Sequence, residues 1–182
     1  MVTPLIHDLD SIPLISNALY ILDIDETVIY YETSMFTEYI KEIELFERTM
    51  SRNSAFENAN QKWESLVYSN NAKPIDEKGL NSLKEFSDTN NSTIVFLTAR
   101  FESIRDVTLS QLKRLFPWVE NHMVHMASGS PKGDKLEKMF LTHPHLQRDN
   151  IVFVDDKQYN IDSVVQKFPH VKQFLFKHNE LR

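Results

Sequence analysis

Three acids, Asp23, Asp25 and Glu26, stand in or just after an otherwise apolar run, YILDIDETVIYY, and no Lys, Arg or His lies between residues 20 and 31. Burying a carboxylate without a partner costs several kcal/mol, on the order of the net stability of a whole domain. A cation must therefore come from elsewhere in the chain or from solution. More chemistry-bearing residues stand where apolar runs end: Thr98 in FLTAR, and Asp155 and Asp156 in FVDDKQYN. Lys132, in GSPKGDK, is expected in a loop just before a helix. Crowded carboxylates call for a hard dication, and an oxygen-only set with room for water suits Mg2+ better than zinc.

Phosphoryl transfer fits such a set, because it needs positioning and charge screening more than elaborate proton chemistry. Asp23, a backbone carbonyl near Asp25, and Asp156 with its neighbour Asp155 would hold Mg2+ and leave room for a phosphate oxygen. Asp23 would attack phosphorus to give an aspartyl phosphate. Asp25, two positions on, would protonate the leaving oxygen and later deprotonate water. Thr98 and Lys132 would hold the transferring oxygens. Lys135 competes with Lys132 for that role; Gly133, which permits close backbone approach, favours Lys132.

The elements that must bring these residues together read as alternating strands and helices. Apolar runs at 18–22 (ALYIL), 93–97 (TIVFL) and 151–154 (IVFV) predict buried strands; 123–126 is a weaker one, and 171–176 is mixed enough to predict an edge strand. Helical spacing recurs between them, as in IDEKGLNSLKEF, SIRDVTLSQLKRLF, KLEKMF and NIDSVVQKF. This alternation predicts an α/β fold, a three-layer Rossmann-like parallel sheet whose ligands bind beyond the strands' carboxyl ends. The stretch from 34 to 70 breaks the alternation. It carries Phe36, Tyr39, Ile40, Ile43 and Phe46 at helical spacing, then a second helix with Phe56, Trp63, Leu66 and Val67. We expect a single domain over 1–182 with a small all-helical cap, 32–73, inserted after the first core strand. Most of its aromatics are expected to pack the helices on the core, and a few to reach substrate.

In this order the motifs resemble those of the haloacid dehalogenase (HAD) superfamily of phosphohydrolases. Asp23-Ile24-Asp25-Glu26-Thr27 resembles its first motif, D-x-D-x-[TV]; STIVFLT with Thr98, the lone Lys132 and the pair Asp155-Asp156 resemble the other three. DIDET and LTAR are similar to the corresponding stretches of bacterial acid phosphatases. The resemblance implies a Mg2+-dependent phosphatase acting on a small phosphorylated metabolite, with Asp23, Asp25, Thr98 and Lys132 catalytic and Asp23, Asp25, Asp155 and Asp156 at the metal. It implies substrate contacts from Thr27, Thr98, Arg100 and Lys132. Asp25 speaks against dehalogenation, for which no second aspartate is expected. A phosphotransferase or mutase, or a low-turnover phosphate-binding module, stays open. Ala99 departs from the glycine often found after the second motif's threonine, and Asn160 stands where a further acid is frequent.

Other polar residues have plainer readings. Arg100 binds phosphate or substrate, or pairs with a surface acid. Tyr30, Tyr31 and Glu32 touch substrate or form a hinge. His122 and His125 favour packing over metal binding. Lys41, Arg48, Arg52 and Lys62 read as a solvated face. The chain of 182 residues, 41% hydrophobic and 25% charged, has the composition of a globular domain. Its net charge of -6 argues against a nucleic-acid surface, and the lack of cysteine removes disulfides and thiol chemistry. With no signal-peptide pattern and no membrane-length apolar run, the expected location is cytoplasmic, with signal-independent export left open. Substrate identity and oligomeric state are not legible.

Overall fold

The computed structural model describes residues 3–31, 35–69 and 71–178. Six strands form a parallel sheet, in chain order β1 (Leu5–Ile6), β2 (Ala18–Leu22), β5 (Thr93–Thr98), β6 (Val124–Met126), β7 (Asn150–Asp155) and β8 (Lys172–Phe176). Their spatial order is β1-β8-β7-β2-β5-β6, which puts β2 between β7 and β5. Buried on both faces, β2 is apolar throughout, and its side chains alternate between two cores. Ala18, Tyr20 and Leu22 face α3 (Glu77–Thr89) and α4 (Arg105–Leu115). Leu19 and Ile21 face α5 (Lys132–Thr142) and α6 (Gln158–Lys167). The result is the expected three-layer α/β sandwich. Tyr20 places a hydroxyl inside one core; it accepts from the Ile15 amide at 2.7 Å and donates to the Pro13 carbonyl at 3.1 Å.

Three features differ from the sequence-based expectation. The 171–176 run is not an edge: β1 pairs beside it through Leu5↔Leu175 and Ile6↔Phe176. A strand of two residues leaves no periodicity to read. Lys132 stands not in a loop but at the first position of α5. Two further strands, β3 (Ile29–Tyr30) and β4 (Lys73–Pro74), pair antiparallel outside the main sheet.

Between β3 and β4 the chain forms α1 (Met35–Glu47) and α2 (Arg52–Tyr68), which pack on each other. Ile43, Ala55, Ala59 and Val67 are buried, while Tyr39, Phe56 and Trp63 are partly exposed toward the core. Glu32 and the side chains of Phe36 and Leu66 lie outside the described residues.

Gly133 is where α5 meets α6. A Cβ there would lie 2.1 Å from the Ser163 carbonyl oxygen, and the Gly133 amide donates to Ser163 Oγ at 3.0 Å. Gly133→Ala must push the two helices apart next to Lys132. We expect a loss of about 1 to 3 kcal/mol in chemical denaturation, the range for overpacking a tight contact; a variant as stable as wild type would show that α5 shifts freely.

Candidate functional site

Because the sheet is parallel, the carboxyl ends of β2, β5 and β7 share one rim. Asp23 follows β2, Thr98 ends β5, Asp155 ends β7 and Asp156 follows it. Ligand oxygens of Asp23, Asp155 and Asp156 lie within 4.8 Å of one another, the one such cluster among the described residues. The rim opens into a cavity of about 400 Å³, walled on the core side by Asp23, Asp25 and Asp156 and on the α1–α2 side by Tyr39, Phe56 and Trp63.

Lys132, favoured over Lys135 by the glycine that follows it, is the cation at this rim. It is 1% exposed, and its Nζ donates to Asp23 Oδ1 and, at 2.6 Å, to Asp155 Oδ2. Asp155 also accepts from the Lys157 amide at 2.9 Å and from Asn160 Nδ2 at 3.0 Å. Asp155 thus anchors Lys132 and the turn after β7, while Asp156 lines the cavity. Lys135 is only partly buried and acts electrostatically on Glu102 and His125 instead.

Burial would pull the Lys132 ammonium down, but the Asp155 and Asp23 carboxylates outweigh it and hold its pKa above the ordinary value. The carboxylates fare differently. Burial drives Asp23 well above the usual carboxylate range; Lys132 opposes this, and Asp155, Asp156 and Asp25 add to it. Burial likewise pushes Asp156 up to about 7 against the pull of Lys157. Lys132 on Asp23 and Lys157 on Asp156 thus offset the crowded carboxylates only in part. Hard oxygen donors, crowded and under-neutralised, fit Mg2+ at Asp23 and Asp156.

This charge shortage makes stability depend on pH. Between an unfolded value near 3.8 and a folded value near 7, native Asp156 holds a proton that the unfolded chain has lost. Stability is thus greatest at low pH and falls as pH rises through the folded pKa. From about pH 8 to 5 the metal-free protein is expected to gain about 2 to 3 kcal/mol from this group. Thermal melts in chelator should show the gain, and Mg2+ should raise Tm more at the higher pH. A flat profile would mean that these acids are already neutralised.

Asp25 is held on the other side of the rim. Arg100 Nε donates to its Oδ2 at 2.9 Å and Nη2 to its Oδ1 at 2.7 Å, a two-pronged pair. The guanidinium is almost fully buried; Nη1 also donates to Thr108 Oγ1 and Gln111 Oε1, both at 2.9 Å, and Nη2 to Tyr31 OH at 3.2 Å. Trp63 stacks against it at 5.8 Å. Arg100 thus pairs with an acid, but with Asp25 at the rim and not with a surface carboxylate, and Tyr31 belongs to the same network.

Thr98 is fully buried, its Oγ1 accepting from the Arg100 amide at 3.2 Å. Thr27 is also fully buried, and its hydroxyl has no hydrogen-bond partner. Neither lines the cavity. His122 pairs with Glu120 at 3.3 Å, and His125 packs edge-on against His143. Lys62 pairs with Glu42, and Arg52 with Glu47 at 3.4 Å; neither lines the cavity.

Sequence reasoning missed Lys157, whose Nζ joins Asp156 Oδ2 at 2.5 Å to Glu26 Oε2 at 2.9 Å. Its position directly after the acidic pair was a usable signal. It also missed Gln111, although Thr108 and Gln111 interrupt the apolar stripe of Ile104, Leu112 and Leu115, a pattern that marks buried polar contacts. Phe101 and Tyr159 complete the aromatic wall.

This sheet order, with helices on both faces and acids at its rim, is a Rossmann-like α/β fold. Among solved structures, a haloacid dehalogenase-like hydrolase from Streptococcus pneumoniae is similar at TM-score 0.57 and 14% identity, over 90% of this chain and 85% of that one. The class C acid phosphatase from Bacillus anthracis is similar at TM-score 0.55 and 16% identity, over 92% of this chain and 68% of that one. The same phosphatase with tungstate bound is similar at TM-score 0.51 and 14% identity, over 92% and 69%. Residues 3–116 and 122–173 match the family described as "Protein of unknown function (DUF2608)", and the chain belongs to that family. No curated protein matches it.

Proposed function

We propose that the chain is a Mg2+-dependent phosphatase that hydrolyses small phosphomonoesters through an aspartyl phosphate on Asp23. The observation that carries this reading is Asp23 itself: a buried carboxylate at the rim of the sheet, gripped by Lys132, beside Asp156 and open to the cavity. Asp23 and Asp156 would hold Mg2+ together with a carbonyl near Asp25. When bound, the ion supplies charge screening for the transferring oxygens.

The side chains then divide the work. Lys132 engages Asp23 Oδ1, leaving Oδ2 to attack phosphorus as the bond to the ester oxygen breaks. Asp25, fixed by Arg100, gives the departing alkoxide its proton. It recovers a proton from the water that next attacks phosphorus, releasing inorganic phosphate and restoring the Asp23 carboxylate. Lys132 offsets negative charge on the transferring group. The walls from α1 and α2 bound a volume suited to a small leaving group, which makes a small phosphorylated metabolite the expected substrate. Among the described residues no helix is long and apolar enough to cross a membrane.

One observation favours a phosphotransferase as the second reading. A recess of about 620 Å³ shares Ala99, Gly129, Tyr159 and Asn160 with the first cavity and continues along Ser130, Asp162 and Ser163. An acceptor alcohol lodged there would take the phosphoryl group in place of water. Phosphate release from a panel of phosphomonoesters, with Mg2+ or chelator and with or without sugar and nucleoside acceptors, tests both. Metal-dependent phosphate release supports the phosphatase. Turnover only with an acceptor moves the reading to transfer, and Mg2+ binding without either reaction leaves a binding module.

A further inference from the structure

Lys157 occupies the position most awkward for a metal site. Its ammonium lies 2.5 Å from Asp156 Oδ2, the carboxylate that faces the cavity, and 2.9 Å from Glu26 Oε2 across the rim. Glu26 is held toward it by an unusual backbone: φ is 61° at a residue with a side chain, in the turn that follows Asp25. Left-handed backbone at a non-glycine residue is strained and persists where the surroundings impose it. Here the turn is imposed by the Val28 and Ile29 amides, which both donate to the Ile24 carbonyl, and by the Glu26 amide, which donates to the Ile29 carbonyl. A second lysine, Lys177, reaches the same corner from the end of β8 but donates to the backbone carbonyl of Asp156, at 3.0 Å.

We propose that Lys157 is a built-in competitor for the cation site: its ammonium neutralises Asp156 in the metal-free protein and moves off it toward Glu26 when a dication binds. Two positive charges cannot share one carboxylate at contact distance without strong repulsion, and Asp156 is buried. Glu26 is the receiving group, already in contact, so the exchange needs no rearrangement of the backbone. Metal affinity is thereby set below what Asp23 and Asp156 alone would give. The inference rests on the Mg2+ reading above but concerns a different residue, and the two fail separately.

The test is titration calorimetry of Mg2+ into wild type, Lys157→Met, Lys177→Met and Glu26→Gln, with circular dichroism to check folding. Lys157→Met is expected to bind Mg2+ about tenfold tighter or more, and Lys177→Met, an equal charge change on the carbonyl, much less. Glu26→Gln is expected to weaken binding in wild type and to change little in the Lys157→Met background, the coupling a double-mutant cycle isolates. Equal affinity of wild type and Lys157→Met would overturn the competitor role while leaving the metal site in place. Equal tightening by Lys177→Met would reduce the effect to a general field and also overturn it. No Mg2+ binding by any variant would overturn both readings. Binding by Lys157→Met alone would support competition in its strongest form. If Lys157→Met does not fold, Lys157→Gln serves, and an affinity unchanged from wild type there overturns the proposal.

Discussion

If Asp23 is the nucleophile as proposed, Asp23→Asn is expected to abolish phosphate release, with a loss on the order of 10⁴-fold or more in kcat, because no other group would then form the covalent intermediate. Burial raises the Asp23 pKa first and foremost, so a neutral amide of the same shape removes a charge the fold already disfavours. The variant is therefore expected to melt close to wild type, which separates lost chemistry from lost structure. The measurement is phosphate release under saturating substrate and Mg2+, beside a thermal melt. Residual turnover within about tenfold of wild type would transfer the nucleophile to another group.

Lys132→Met produces the largest stability change, about 3 to 5 kcal/mol, the usual cost of breaking a buried ion pair from one side. Asp23 and Asp155 would be left facing each other without the ammonium that joins them. Asp155 keeps its bonds from Lys157 N and Asn160, so the uncompensated charge falls mainly on Asp23. Adding Asp23→Asn to Lys132→Met should recover part of the loss, since the two residues are in contact and their effects cannot add. Denaturation midpoints of the two single variants and the double give the answer. A Lys132→Met protein within about 1 kcal/mol of wild type would mean that solvent or another cation reaches Asp23, against the burial seen here.

What was legible followed from burial. An apolar run such as ALYIL has one comfortable home, a central parallel strand, and the acids that end it must then lie at the rim. The sandwich, Asp23, the acidic pair and the helical nature of the insertion could be read in this way. What was not legible depended on contacts far apart in sequence. Arg100 meets Asp25 across 75 positions, and no local pattern announces it. Lys132 and Lys135 are separated by one helical turn, and the choice between them rests on which face of α5 meets the rim. Strands of two residues, β1, β3 and β4, lie below any periodicity. The buried Thr27 hydroxyl has no partner in the structure, and its resemblance to a motif position gave no hint of that.

The pairing of β3 with β4 closes the ends of the insertion on themselves, Ile29 against Pro74 and Tyr30 against Lys73. To the sheet, everything between is a loop whose endpoints are fixed. The entropy of closing such a loop changes by only about 0.6 kcal/mol for each doubling of its length. A change in its length thus costs the sandwich little so long as Val67 and Ala72, which are part of the core, keep their places. On the proposed reading, selectivity for leaving groups could then diverge while the acids on the rim stay where β2 and β7 put them.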